Sequence, residues 1–78
     1  MKVKITKPDG VLYDGDAVLL QLPGTGGKFE ILKGHAPIVA SLQGGTIRLQ
    51  PTDGDEQRYE IRGGVVEGSN DTITILVQ

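Results

Sequence analysis

Short segments in which hydrophobic and polar residues alternate run along most of the chain. Their hydrophobic members are Val3 and Ile5, Ile47 and Leu49, Tyr59 and Ile61, and Ile73, Ile75 and Val77. Alternation with a period of two places one side chain in the core and the next in solvent, as in a half-buried β-strand. Residues 17–22 and 38–42 are more continuously apolar, which predicts central strands that are covered on both faces. No segment follows the helical period, so the pattern predicts little or no helix.

Turn-forming residues separate these segments and predict short strands joined by hairpins. The turn segments are Pro8-Asp9-Gly10, Asp14-Gly15-Asp16, Pro51-Thr52-Asp53-Gly54 and Ser69-Asn70-Asp71. Glycine pairs at residues 26–27, 44–45 and 63–64 each precede an apolar strand and are interpreted as further turns. Short strands with frequent turn signals are typical of an all-β fold, and we expect an antiparallel sandwich or flattened barrel. No linker divides the chain, so residues 1–78 are expected to form a single domain.

The composition limits the partners and the compartment. Eight basic and ten acidic residues give a formal net charge of -2, which provides no electrostatic attraction to nucleic acid or anionic lipid. Because there is no cysteine, aliphatic residues must stabilise the fold, as suits a reducing compartment. The alternating start has no apolar run typical of a signal peptide, and no later segment is long enough to span a membrane. If the protein works at a membrane, another protein is expected to hold it there.

Glycine and proline crowd both sides of one short apolar run in residues 22–37, Leu-Pro-Gly-Thr-Gly-Gly-Lys-Phe-Glu-Ile-Leu-Lys-Gly-His-Ala-Pro. Because glycine permits unusual backbone angles and proline fixes φ, the sequence specifies two shaped loops around a brief strand. Such a surface suits a partner, although tight turns in any all-β domain use the same residues. Phosphate binding is disfavoured, because a P-loop would require glycine at Leu22 and serine or threonine at Phe29. A strand also follows where the anion-binding helix would begin.

Few side chains suit catalysis or metal binding. His35 is the only histidine, and no spacing links it to a serine nucleophile or an orienting carboxylate. One histidine cannot build a typical zinc site, and Asp14 and Asp16 lack the third acidic ligand and the closing glutamate of a calcium loop. We therefore assign no catalytic residue, no metal and no cofactor. A small hydrolase that uses His35 is a minor alternative, because it needs a pocket that so short a chain could scarcely enclose.

Three apolar residues depart from the expected pattern of a hydrophobic inner face and a polar outer face. If the alternation holds, Leu19, Val39 and Leu76 point away from the main core. Apolar residues on an outer face can mark a docking patch, whereas a strand covered on both faces would bury them. The sequence leaves both interpretations open.

The order of several short motifs resembles the N-terminal β-sandwich domain of the epsilon subunit of F-type ATP synthase. The motifs are Pro8-Asp9-Gly10-Val11-Leu12-Tyr13-Asp14-Gly15, Leu22-Pro23-Gly24, Gly27-Lys28-Phe29, Leu32-Lys33-Gly34-His35-Ala36-Pro37 and Ile61-Arg62-Gly63-Gly64-Val65-Val66-Glu67. The resemblance covers the whole chain. It implies a flattened, ten-stranded antiparallel sandwich in the central stalk, which grips the gamma subunit, rests on the c-ring and turns with the rotor. Catalysis would then reside in other subunits.

The same resemblance implies which residues contact the c-ring or gamma. They are Lys28, Glu30, Gly34, His35, Ala36 and Pro37. Lys28 lies where some relatives have an acidic residue, so the charge that faces it on the ring would be inverted. The sequence ends at Gln78, where relatives continue into a C-terminal helical hairpin, so inhibition and nucleotide sensing by a hairpin are not expected. The implied location is the cytoplasmic side of the inner (plasma) membrane, held there through partner subunits without direct membrane insertion.

A carrier domain of the lipoyl or biotinyl type is the alternative from another functional class. Such a domain is also a compact β-sandwich, and Lys28 near a hairpin could be its modified residue. Lipoyl domains usually carry Asp-Lys at the hairpin tip and biotin domains carry Met-Lys-Met, whereas Lys28 lies between Gly27 and Phe29. The alternative therefore lacks its expected signature.

Overall fold

The computed structural model describes all 78 residues, Met1–Gln78, and contains six β-strands and no helix. The strands are β1 (Lys2–Lys7), β2 (Gly10–Gly24), β3 (Gly27–Leu32), β4 (Ile38–Pro51), β5 (Gln57–Ser69) and β6 (Thr72–Val77). The predicted all-β class is confirmed. The expected count of ten strands is wrong, because several short strands joined by turns are replaced by three long continuous ones.

The lengths of β2, β4 and β5 explain the difference in strand count. These strands contain 15, 14 and 13 residues. Straight strands of that length would span roughly 40–50 Å at about 3.3 Å per residue, whereas the longest dimension of the protein is 26 Å. The long strands therefore bend, and each one contributes to both layers of a sandwich-like body.

The strands form a closed ring of neighbours. In order they are β1, β6, β5, β4 and β2, and β2 returns to pair with β1. β3 pairs only with β2 and lies outside the ring. Every pair is antiparallel except β1 with β6, which is parallel, so the prediction of an antiparallel sheet is wrong for that pair. A closed ring of five strands cannot alternate in direction throughout, and one parallel pair is the geometric consequence.

The core is entirely apolar and lies inside the ring. Fifteen hydrophobic residues are buried, and no polar or charged residue is buried with them. The largest fully buried side chains are Ile5, Leu20, Leu22, Ile47, Leu49, Ile73, Ile75, Val3 and Val66. The alternating segments supply most of this set, so the sequence pattern identified the inward face of β1, β6 and the second half of β4.

Two glycine pairs lie inside strands and do not form the turns that were predicted for them. Residues 44–45 belong to β4 and residues 63–64 to β5, and both lie within the β4–β5 ladder, where Gly45 lies opposite Ile61 and Gly64 lies opposite Leu42. In β4 the buried position is Leu42 before the glycines but Ile47 and Leu49 after them, so the inward face changes parity at this point. Gly64 also lies against the β6 backbone, where a Cβ atom would overlap the carbonyl oxygen of Leu76. The glycines of β4 therefore lie where the inward face of the strand changes, and Gly64 permits the backbones of β5 and β6 to approach closely.

The other predicted turns are mostly confirmed. Pro8 and Asp9 join β1 to β2, and Asn70 and Asp71 join β5 to β6 with φ values of 49° and 62°. Residues 52–56 connect β4 to β5. The turn expected at residues 14–16 is wrong, because this segment continues β2 and pairs with β1.

The prediction that residues 17–22 and 38–42 are covered on both faces is wrong. Val18 is 49% exposed and Val39 is 82% exposed. Their neighbours Ala17, Leu20 and Leu42 are buried, so each segment has one inward and one outward face. Continuous apolar sequence here signals an exposed apolar surface in addition to the core.

Two tyrosines are expected to make the stability of the folded protein depend on pH in the alkaline range. Burial raises the pKa of both Tyr13 and Tyr59 above 10.0, with smaller contributions from Asp16 on Tyr13 and from Tyr13 on Tyr59. The Tyr13 hydroxyl donates to the Asp16 carbonyl at 2.7 Å, and the Tyr59 hydroxyl donates to the Leu12 carbonyl at 3.4 Å. The folded state therefore favours the protonated phenols.

We expect the melting temperature to fall as the pH rises above about 10. The stabilisation is fully present below the pKa of tyrosine in the unfolded chain, about 10, and is lost as the pH passes through the raised values of the folded state. Thermal unfolding by circular dichroism between pH 8 and 11 measures this loss. The double variant Tyr13→Phe, Tyr59→Phe is the control, because it keeps the lysine titrations. An equal loss of stability in this variant and the wild type would contradict the assignment.

Candidate functional site

The six predicted contact residues lie on β3 and on the loop that follows it. Lys28 and Glu30 are exposed residues of β3, and Gly34, His35, Ala36 and Pro37 form most of the connection to β4. Gly34 has a φ of 83°, in the left-handed region that glycine adopts most readily. The glycine-rich and proline-rich sequence thus shapes this loop as expected.

The structure distributes these residues over two shallow depressions. Glu30 and the loop residues border the first depression, which extends to Ile38. Lys28 borders the second, together with residues 24–27 of the β2–β3 hairpin and residues 39–41 of β4. The two depressions follow each other along β3, so the predicted residues share one rim of the protein without forming an enclosed pocket.

His35 packs under the loop instead of projecting from it. Its Nδ1 lies 3.0 Å from the carbonyl oxygen of Ala36. Because a carbonyl oxygen can only accept, Nδ1 is the donor in this contact. Nε2 is buried and has no hydrogen-bond partner. The imidazole carbon Cε1 lies 3.4 Å from the position that a Cβ of Gly68 would occupy, so the ring rests on β5. This arrangement does not favour His35 as a general base for a substrate.

The substitution His35→Ala is expected to lower the free energy of unfolding by about 1 kcal/mol. The ring is half-buried and fills the space over Gly68, so its loss leaves the loop without a contact to β5. Chemical denaturation measures the change. Lys33→Ala, an exposed change in the same loop, is the matched control and should be nearly neutral. Equal stability of the two variants would contradict a packing role for His35.

Glu30 belongs to a charged row that crosses the outer face of four strands. Glu30 lies opposite Gln21, Gln21 lies opposite Arg48, and Arg48 lies opposite Arg58. An Nη of Arg48 is 3.6 Å from Glu30 and the other is 3.2 Å from Glu56, which also accepts from Arg58 at 3.0 Å. The carboxylate of Glu30 is therefore already paired within the chain. Alternation in β4 predicted that Arg48 faces outward, but its partners depend on strand register, which the sequence does not specify.

An apolar row crosses the outer face of β5, β6, β1 and β2. Val65 of β5 lies opposite Leu76 of β6, Leu76 lies opposite Thr6 of β1, and Thr6 lies opposite Val11 of β2. Val65, Leu76 and Val11 are all about half exposed. We call Val11, Val65 and Leu76 the apolar row. Of the three residues that the sequence placed outside the core, Leu76 lies in this row, Val39 is exposed near its end, and Leu19 is half-buried.

Sequence reasoning missed Val11 and Val65. The signal for Val65 was present, because it stands next to the buried Val66 in a strand and must therefore point outward. Val11 follows a turn directly, and its alignment with Leu76 arises only from the pairing of β1 with both β2 and β6.

No group of three or more histidine, cysteine, aspartate or glutamate side chains is arranged to hold a metal ion. The structure contains no helix that is long and apolar enough to cross a membrane.

Comparison with known proteins identifies the family. The model of the ATP synthase, delta/epsilon chain, beta-sandwich domain matches residues 1–78. The chain belongs to this family. It is 35% identical to the ATP synthase epsilon chain of Chlorobium limicola over 99% of this chain and 88% of the relative. It is 41% identical to the ATP synthase epsilon chain of Bacillus subtilis, covering all of this chain and 58% of the relative.

Solved structures share the fold at low sequence identity. A chain in the central stalk and c-ring structure of the Tetrahymena thermophila mitochondrial ATP synthase matches with a TM-score of 0.84 and 18% identity, over 100% of this chain and 63% of that one. A chain of the Euglena gracilis mitochondrial ATP synthase matches with a TM-score of 0.84 and 19% identity, over 96% of this chain and 48% of that one. The expected family is thus confirmed, and nothing in these comparisons favours a lipoyl or biotinyl carrier.

Proposed function

We propose that the chain is a non-catalytic rotor subunit of a proton-translocating ATP synthase. It docks to the gamma subunit and the c-ring and couples rotation to ATP synthesis. The structural observation that carries the proposal is the apolar row, which exposes Val11, Val65 and Leu76 on a regular sheet face. Exposed apolar side chains that align across neighbouring strands are typical of a surface that a protein partner covers.

The rim formed by β3 and the following loop is the proposed second contact. Lys28, Glu30, Gly34, His35, Ala36 and Pro37 are assigned to it. His35 would act by holding the loop against β5, while Ala36 and Pro37, which are exposed, would make the contacts themselves. Lys28 makes no ion pair within the chain, so an acidic group on the c-ring or gamma would complement it.

The architecture suits transmission of torque. A ring of paired strands closes around an apolar core, and 41 of the 47 backbone hydrogen bonds lie within the strands. Close-packed interiors have low compressibility and transmit force without large deformation. With partners on two sides, the protein would stay at the cytoplasmic side of the inner (plasma) membrane through its neighbours. Residues 1–78 would act there as one docking domain.

Co-elution with a cognate gamma subunit tests the proposal. The two proteins are mixed at micromolar concentration and passed through a size-exclusion column, and the molar mass of each eluted species is measured by light scattering. The proposal predicts a one-to-one complex. Separate elution of the two folded proteins would contradict it. Intact-mass measurement of the chain from its native host addresses the carrier alternative, because a lipoyl or biotinyl group adds a discrete mass.

A further inference from the structure

β3 has one unpaired edge. Its only neighbour is β2, and Pro23 of β2 lies opposite Lys28. Because proline has no N–H, Pro23 and Lys28 cannot form a pair in which each residue donates to the other, so they are a non-hydrogen-bonded pair. The two kinds of pair alternate along an antiparallel ladder, so the next pair, which includes Phe29, is hydrogen-bonded. The backbone groups of Lys28, Glu30 and Leu32 therefore point away from β2. No backbone hydrogen bond outside the strand ladders involves these residues. We call this the open edge.

The first half of β4 faces the same opening. The Thr25 N–H donates to the Ser41 carbonyl at 3.1 Å, and the hydroxyls of these two residues also lie 3.1 Å apart. These contacts border one end of the opening, and residues 33–37 border the other. Since alternate residues direct their backbone groups to the same side, those of Val39 point the same way as those of Ser41. Both shallow depressions lie along this opening.

The charge along the open edge is positive. Lys28 and Lys33 are exposed and take part in none of the five ion pairs of the chain. Glu30 would offset them, but its carboxylate is paired with Arg48. An acidic segment is therefore the occupant that the side chains favour.

Lysine residues on a short strand also protect an edge from unwanted pairing. Protection alone does not account for the opposite side of the opening, where Val39 is 82% exposed. Unpaired backbone groups on β3, an exposed apolar residue on β4 and two uncompensated lysines together match the backbone, side chains and charge of an extended peptide.

We propose that the open edge of β3 adds one extended, acidic segment of the gamma subunit as a further strand. The inference rests on the proposed function, because it names how that partner is held at the rim. Backbone hydrogen bonds from Lys28, Glu30 and Leu32 would fix the orientation, and Lys28 and Lys33 would select acidic side chains. This mode of recognition requires little from the sequence of the partner beyond its charge and its ability to extend.

Amide hydrogen exchange in the complex with the gamma subunit tests the added strand. The amides of Lys28, Glu30 and Leu32 should exchange at least tenfold more slowly in the complex than in the free chain. Those of Phe29 and Ile31, which are directed towards β2, serve as internal controls and should change little. Protection that appears at high concentration of the chain alone would indicate pairing between two copies and would overturn the proposal.

The outcomes separate the two proposals. A complex that forms without protection of the open edge overturns the added strand and leaves the proposed function intact. If the folded chain forms no complex, the proposed function fails, and the added strand fails with it.

A matched pair of variants provides a second test. Leu32→Thr and Leu32→Pro both remove the same side chain, but only the proline variant removes the N–H that faces the opening. We expect the proline variant to bind gamma at least tenfold more weakly than the threonine variant. Circular dichroism and melting temperature establish that both are folded. Equal affinity of two folded variants would overturn the proposal.

Discussion

Replacing Gly64 with alanine should lower the free energy of unfolding by about 3 kcal/mol or more, enough to unfold a marginally stable domain of this size. A Cβ at this position would overlap the carbonyl oxygen of Leu76 and lie 3.1 Å from the Cα of Val77. Both are backbone atoms of the neighbouring strand β6, so no side-chain rotation relieves the clash. Either β5 separates from β6, or the parallel closure of the ring through β1 is disturbed. Urea denaturation followed by circular dichroism measures the loss.

Gly26→Ala is the matched control for Gly64→Ala. A Cβ at Gly26 would meet nothing within 4 Å, and the residue does not have a positive φ. The control variant should therefore remain within about 0.5 kcal/mol of the wild type. A Gly64→Ala protein as stable as this control would show that β5 and β6 do not approach as closely as the structure indicates.

The substitution Leu76→Asp should weaken binding to the gamma subunit by about 100-fold, or roughly 2.7 kcal/mol. Leu76 stands between Val65 and Thr6 in the row of outward residues and is 53% exposed in the free chain. A partner that covers the row would bury a carboxylate without a counter-charge, and the desolvation of that carboxylate opposes binding. Isothermal titration calorimetry with purified gamma measures the affinity.

Thr74→Asp is the control for the change at Leu76. Thr74 is exposed, lies two residues from Leu76 and is on the same face of β6. An aspartate there adds the same charge to the strand and lowers its β-propensity in the same way, without changing the apolar row. It lies opposite Lys4, outside the apolar row. We expect this variant to bind within about threefold of the wild type, a difference of roughly 0.65 kcal/mol. Two equally weakened variants would mean that general charge, and not the apolar row, determines docking.

The inward face of the fold could be predicted from sequence because alternation is a local property. Val3 and Ile5 in β1, and Ile73, Ile75 and Val77 in β6, are buried as their spacing indicates. The strand count could not be predicted in the same way. A glycine pair is compatible with either a turn or a bent strand. Residues 44–45 and 63–64 lie within bent strands because β4 and β5, which are distant in sequence, pair with each other on both sides of these glycines.

The two loops of the proposed rim could be predicted from the sequence, but the contacts of their side chains could not. The clustering of glycine and proline in residues 22–37 located the rim, and the two loops around β3 are present. The orientation of His35 depends on the space above Gly68, which is 33 residues further along the chain. The pairing of Glu30 with Arg48 and the alignment of Val11 with Leu76 likewise require the strand order. Such contacts between distant segments have no local sequence signature.

ATP-driven proton pumping tests the central claim most directly. Membrane vesicles that contain the cognate ATP synthase, depleted of its epsilon chain, are supplied with the purified protein, and pumping is followed by quenching of a pH-sensitive dye. The account predicts that the wild-type chain and Thr74→Asp restore coupled pumping, whereas Leu76→Asp at the same concentration does not. Unchanged pumping after addition of folded wild-type protein at saturating concentration would contradict the account.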